Sequence, residues 1–161
     1  MIFTEKQRFK QWWLWGILLI IAAIATFGIY RQIFQGEPFG DNPMSDAGLI
    51  VFAVSMYLLP ILFWIIRLDT KIDEEKIELQ FIPFVKKAVR WADVASAEVL
   101  DYGTVGGWGV KHSGKYGTVY ATDGDYGLAI TMKKGQKFVI GTRKESDLKS
   151  FLENLGANKE A

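Results

Sequence analysis

Few residues in this chain are equipped for catalysis. The single histidine, His112, stands beside Lys111 and close to Lys115. An imidazole used as a general base needs a proton within reach and a partner that orients it. No carboxylate accompanies His112 in its own stretch, so no catalytic dyad is visible. The chain has no cysteine, which excludes disulfides, thiolate nucleophiles, cysteine acylation and cysteine-based metal sites. One histidine cannot build a multi-histidine metal site within one chain. Carboxylates do cluster at Asp69, Asp73, Glu74, Glu75 and Glu78, and such groups can hold a hard cation or share a proton. Lys71 and Lys76 interleave with them, so the cluster reads as a solvated hairpin turn.

The glycines at 103, 106, 107 and 109 invite a phosphate-loop reading. They are not followed by Lys-Ser/Thr at loop spacing or by an apolar-periodic helix, so they are read as serving turns, bulges and close strand packing. No catalytic residue, cofactor site or metal site is assigned, and the chain is not expected to be an enzyme.

What the residue types offer is binding. Trp108, Val110 and Tyr116 put aromatic and apolar groups into a Gly-rich stretch, and aromatic side chains are frequent interface anchors. Lys86, Lys87 and Arg90 form one basic group, and Lys133, Lys134 and Lys137 another. Near an anionic leaflet each such cation contributes about 1 kcal/mol. The formal net charge is +1, and no basic, aromatic-interleaved face argues for nucleic acid.

These groups must be positioned by what precedes them. Two apolar runs, 12–30 and 47–66, contain no charged residue. Each is long enough to cross a hydrocarbon core of about 30 Å as a helix. With the arm before them they define residues 1–66 as a membrane hairpin whose outer loop is 31–46. Thr4 and Gln7 have capping-box spacing, which predicts a helix beginning in the arm. Phe3, Phe9, Trp12, Trp13 and Trp15 read as an interfacial belt, and Trp12, Trp13, Trp15 and Arg67 as interface anchors. A cleaved signal peptide fits less well, because the first run continues past Ala23-Ile24-Ala25 to span length. Lys6, Arg8, Lys10, Arg67 and Lys71 flank the outer ends, whereas the loop carries Arg31 against Glu37, Asp41 and Asp46. Basic flanks favour the cytoplasmic side, so both termini are expected there. Pro60 predicts a kink. The absence of a mid-span ionisable group argues against an ion or proton pathway.

Residues 67–156 read as one small domain. Leu68–Ile72 reads as a strand; period-two alternation marks Lys76–Phe81, which Pro83 ends or edges; Lys86–Trp91 and Ala97–Tyr102 read as a third and a fourth strand. Trp108–His112 and Thr118–Ala121 follow, then the hairpin Leu128–Met132 and Lys137–Ile140. Leu148, Phe151, Leu152 and Leu155 give a last helix its apolar face, with Thr142 and Glu145 as a capping box and Gly156 as its stop. Residues 157–161 are expected to fray. About seven short antiparallel strands and one amphipathic helix suggest a curved sheet closed by that helix.

The order of elements and several phrases resemble the bacterial pleckstrin-homology (PH) domain membrane proteins. The phrases are Phe3-Thr4-Glu5-Lys6-Gln7-Arg8-Phe9, Val89-Arg90-Trp91-Ala92-Asp93-Val94, Gly107-Trp108-Gly109-Val110-Lys111 and Phe138-Val139-Ile140-Gly141-Thr142-Arg143. The resemblance implies a membrane α-hairpin followed by a mainly-β, PH-like domain, a seven-stranded and partly open barrel capped by a C-terminal α-helix. It implies no activity. Inositol-lipid recognition gains no support, because the first hairpin turn is acidic. The expected function is a membrane-anchored, non-enzymatic scaffold at the inner membrane. It would bind a membrane or cytoplasmic protein, a peptide or a second copy of itself. The alternative is a module responsive to anionic lipid, and a small-metabolite sensor or enzyme without a recognisable site comes third.

Overall fold

The computed structural model of the chain describes residues 1–103 and 108–159. They form two compact units, Lys10–Ile65 and the pair of segments Met1–Phe9 and Ile66–Ala161. Gly106, Gly107 and the last two residues of the tail lie outside the described residues.

The first unit is a helix pair. Helix α1 is Trp12–Ile29 and continues as a π-helical turn over Tyr30–Phe34, and α2 is Asp46–Ile65. These stretches of 23 and 20 residues are long and apolar enough to cross a membrane, and only 17% and 11% of an apolar 18-residue run within each is buried. Their apolar surface is thus left uncovered by protein. The first helix runs on to Phe34 instead of ending at Tyr30, which takes Arg31 into its final turn. Arg31 pairs with Glu37. The Gln32 amide donates to Met44 O at 2.7 Å and to Asp46 Oδ1 at 2.8 Å, tying the loop to the start of α2. Small residues make the seam: Ala25, Gly28 and Ala53 are buried with Leu49. A Cβ on Gly28 would stand 2.9 Å from the Phe39 ring. Thr26 and Tyr57 share a hydroxyl hydrogen bond of 2.6 Å across the pair. Pro60 lies inside α2, which continues through it to Ile65.

The second unit holds nine strands in two sheets among the described residues, not seven in a barrel. The first sheet has the order β1-β2-β3-β4, with β1 Phe3–Arg8, β2 Arg67–Ile72, β3 Lys76–Ile82 and β4 Val85–Arg90. A short 3-10 turn at Trp91–Asp93 leads to the second sheet. There β5 is Val94–Asp101, β6 Gly109–Ser113, β7 Gly117–Ala121, β8 Tyr126–Met132 and β9 Lys137–Gly141, in the order β5-β8-β9-β7-β6. All pairs are antiparallel except β7 with β9. The C-terminal helix α3 spans Glu145–Lys159.

The arm is where expectation and structure part most. Phe3–Arg8 is a strand, not the start of a helix, and it pairs antiparallel with β2 from Phe3↔Ile72 to Arg8↔Arg67. Phe3 and Phe9 are core residues at 7% and 8% exposure and do not join an interfacial belt. In chain order the helix pair is thus inserted between two neighbouring strands of one sheet. Thr4 is exposed and makes no cap, because the alternation Phe3, Glu5, Gln7, Phe9 turns every second side chain inward.

Two of those inward side chains are polar, and both are satisfied. The buried Glu5 carboxylate accepts the Thr142 hydroxyl at 2.6 Å and the Arg143 N–H at 2.9 Å. The fully buried Gln7 donates to Gly141 O at 2.7 Å and accepts from the Thr122 hydroxyl at 3.1 Å. Arg143 also donates to Arg8 O at 2.8 Å and pairs with Asp123 at 3.0 Å. Thr142 is therefore spent on Glu5 and on the Lys144 N–H, and Glu145 holds Lys149, so the expected capping box does not form. Nor does Gly156 stop α3, which runs on to Lys159.

The main core lies between the inner faces of the two sheets. Leu68, Ile72, Ile77, Leu79 and Phe81 face inward from the first, and Leu128, Ile130, Phe138 and Ile140 are buried in the second. The apolar stripe of α3 joins them through Leu148, Phe151 and Leu155, with the Phe151 ring 6.1 Å from that of Phe3. A satellite cluster of Tyr102, Val119, Ala121 and Val139 packs with Leu100, Tyr116 and Ala129 on the other side of the second sheet.

Candidate binding surfaces

Strand alternation that sends Glu5, Thr70 and Leu79 inward sends their neighbours outward. Register aligns Thr4, Lys71, Glu78 and Ala88 in one outward row and Lys6, Asp69, Gln80 and Lys86 in the next. Between these rows the outer face of the first sheet is hollowed by a trough of about 280 Å³. Its charges are not equivalent. Asp69 pairs with Arg67 at 3.1 Å and Glu78 with Lys76 at 2.7 Å. The hydrogen bond to Lys76 holds the Glu78 carboxyl below its ordinary range, and the same bond raises Lys76. Lys6, Lys71 and Lys86 line the trough and have no ion pair among the described contacts. The trough therefore offers three ammonium groups from three strands, beside two carboxylates that already have partners.

Lys87 must be separated from the basic group in which the sequence placed it. Its neighbours Lys86 and Ala88 are exposed, but Lys87 turns inward, and its Nζ stands 3.8 Å from the centre of the buried Phe138 ring. Burial lowers its pKa. An ammonium held over an aromatic face is a packing element, so Lys87 does not belong with lysines that reach toward headgroups. Lys86, Arg90, Lys133, Lys134 and Lys137 are exposed. Arg90 pairs with Asp93 at 3.3 Å.

The second surface is the edge of the second sheet. Strand β6 ends the strand order and, among the described residues, pairs with β7 alone. Trp108 precedes it at 36% exposure, and Val110 on it is 43% exposed. An edge strand carries a row of main-chain donors and acceptors that a further strand can use. Tyr116 stands apart from this pair. It packs on the satellite cluster, and the Lys115 Nζ lies 4.8 Å from its ring. His112 is exposed on β6 opposite Thr118. Among the described residues no three His, Cys, Asp or Glu side chains group as a metal site.

The acidic hairpin tip is a backbone device. Asp73 Oδ1 accepts the N–H groups of Glu75 and Lys76, both at 2.9 Å. Those bonds, Lys76 first, lower its pKa. Of the expected membrane anchors, Trp12 is 84% and Trp13 42% exposed, while Trp15 is half-buried. Arg67 is the first residue of β2 and is engaged with Asp69.

Sequence reasoning missed Lys6 and Lys71 as members of one site. Their approach depends on β1 lying beside β2, and the signal for β1 was masked by polar residues at its inward positions. No protein-family model matches the chain, and no curated protein matches it.

Proposed function

We propose that this protein is a membrane-anchored, non-enzymatic scaffold. Its helix pair crosses the inner membrane twice, and its β unit, PH-like in character, faces the cytoplasm and binds a protein or peptide. The observation that carries the reading is the open edge of β6 with Trp108 and Val110 exposed beside it. A partner strand added there gains main-chain hydrogen bonds, and the two apolar side chains give it an anchor. The PH-like reading draws support from two sheets, a C-terminal helix packed into their core and the phrases named above; the strand β1 and the parallel pair are departures from it. The inner-membrane placement rests on the apolar helices and their basic flanks. Pairing of Arg8 with Arg67 supports a hairpin, because the chain segments that lead into α1 and out of α2 are neighbours in one sheet.

The test is a photo-crosslinking amino acid in place of Val110 in the full-length protein in its own membranes. A discrete adduct, lost when Trp108→Ala is added, is the expected result. The same photo-crosslinker in place of Ala88 serves as control. No adduct from position 110, or the same adducts from both positions, refutes the reading.

A second reading, an anionic-lipid-responsive module, is favoured by Lys6, Lys71 and Lys86 around the trough. It predicts that the full-length protein in nanodiscs retains anionic lipid at low salt and releases it at high salt. Replacing the three lysines by glutamine should abolish the difference; retention that ignores both salt and these lysines rules the trough out.

A further inference from the structure

We infer that β1 is a releasable strap, a strand that opens from the β unit while the rest of the unit stays folded. Three observations carry this. Among the described residues β1 is an edge strand, with β2 as its one ladder neighbour. Its inward face is mostly polar: of Phe3, Glu5 and Gln7, the latter two hold it by hydrogen bonds. And those bonds converge on one place, the segment Gly141–Arg143 with Thr122 next to it.

The groups that β1 would leave behind are the Thr122 and Thr142 hydroxyls, Gly141 O and the Arg143 N–H. Each can be taken up by water. An apolar strand leaving a core bares surface that water penalises, whereas this strand exchanges protein hydrogen bonds for water hydrogen bonds. Phe3, against Phe151, and Phe9 at the end of the arm resist in the ordinary apolar way. Strand opening of this kind belongs to the low-stability end of a fold's local fluctuations.

Opening has two consequences. It bares the edge of β2, a strand joined directly to α2 through Ile66. It also withdraws Thr4 and Lys6 from the trough, so that Lys71 and Lys86 no longer face a third lysine. Anything that binds the complete trough favours the closed strap by mass action.

Hydrogen exchange on the full-length protein in nanodiscs tests the strap without needing a ligand. Amides of Phe3–Arg8 that bond to β2 are expected to exchange at least about ten times faster than those of β3, which has a neighbour on each side. Glu5→Ala should speed β1 at least about tenfold more and leave β3 unchanged. Because the native chain lacks cysteine, Thr4→Cys with Lys71→Cys gives a clean lock. Positions 4 and 71 are exposed and directly opposite, so oxidation disturbs no buried group, and it should bring β1 down to the rate of β3. Equal exchange in β1 and β3 in the native protein, with both shifting together in Glu5→Ala, would overturn the inference. So would failure of the two introduced thiols to form a disulfide, or its formation with no slowing of β1. Should Glu5→Ala fail to fold, the cysteine lock decides alone.

Discussion

Two residues show how local geometry constrains this protein. Gly117 opens β7 at φ +72°, and a Cβ there would lie 2.0 Å from Lys137 O. The parallel pairing of β7 with β9 brings that carbonyl close, so no rotamer change relieves the overlap. Gly117→Ala should cost at least about 2 kcal/mol, from the left-handed backbone penalty alone upward, read as a fall in thermal stability. Tyr102 gives a pH signature. Burial first, then the negative Asp125, Asp123 and Asp101, pushes its phenol up to about 12, while its hydroxyl donates to Gly124 O at 2.9 Å. The folded pKa lies above the unfolded value of about 10, so the protonated phenol stabilises the fold. That contribution is complete below pH ~10 and is lost as pH rises toward ~12. Melting temperature measured across this window should fall more steeply for the native protein than for Tyr102→Phe. Equal slopes would show that the phenol does not titrate late.

At the scale of elements, β1 matters most. A β unit made without Met1–Phe9 lacks Phe3 and Phe9 from its core. The Thr122 and Thr142 hydroxyls then turn to water in place of Gln7 and Glu5. Residues 66–161 alone should therefore stay folded, with dispersed amide NMR signals, but melt at a lower temperature than the same residues joined to Met1–Phe9 through a short Gly/Ser linker. Poorly dispersed signals without the arm, or equal melting temperatures, would contradict this. The strands from β2 onward were legible because most of their inward positions are apolar, Thr70 and Lys87 being exceptions: Leu68, Ile72, Ile77, Leu79 and Phe81 alternate with more exposed polar residues. β1 was not, because Glu5 and Gln7 stand where an apolar residue would signal the core. Their partners, at 122 and 141–143, are far away in sequence. The start of α3 was misread for a related reason, since Thr142 fits a cap by spacing but is taken by Glu5. The trough was illegible as a consequence, because Lys6 reaches Lys71 and Lys86 only through β1. The exposure of Trp108 and Val110 was legible, since an aromatic group beside glycines next to a short strand signals exposure. Tyr116 in the same stretch serves packing.

For the whole molecule, the two apolar helices with basic outer flanks already imply a hairpin in the sequence. Pairing of Arg8 with Arg67 adds a constraint that no charge count supplies: the chain leading into α1 and the chain leaving α2 run side by side while the sheet is intact. Single cysteines in the cysteine-free chain can read this out. In intact cells a membrane-impermeant maleimide should label Asp41→Cys but not Thr4→Cys or Glu153→Cys; labelling of all three, or of the last two, would refute the arrangement. In the proposed function the β unit presents its β6 edge to a protein partner. The most direct measurement is the native mass of the full-length protein, extracted gently from its own membranes, beside that of Trp108→Ala. One complex heavier than the protomer is expected, holding a second polypeptide or further copies in fixed ratio, which falls to the protomer mass in Trp108→Ala. A native protein that runs as a lone protomer, or a complex indifferent to Trp108, would contradict it.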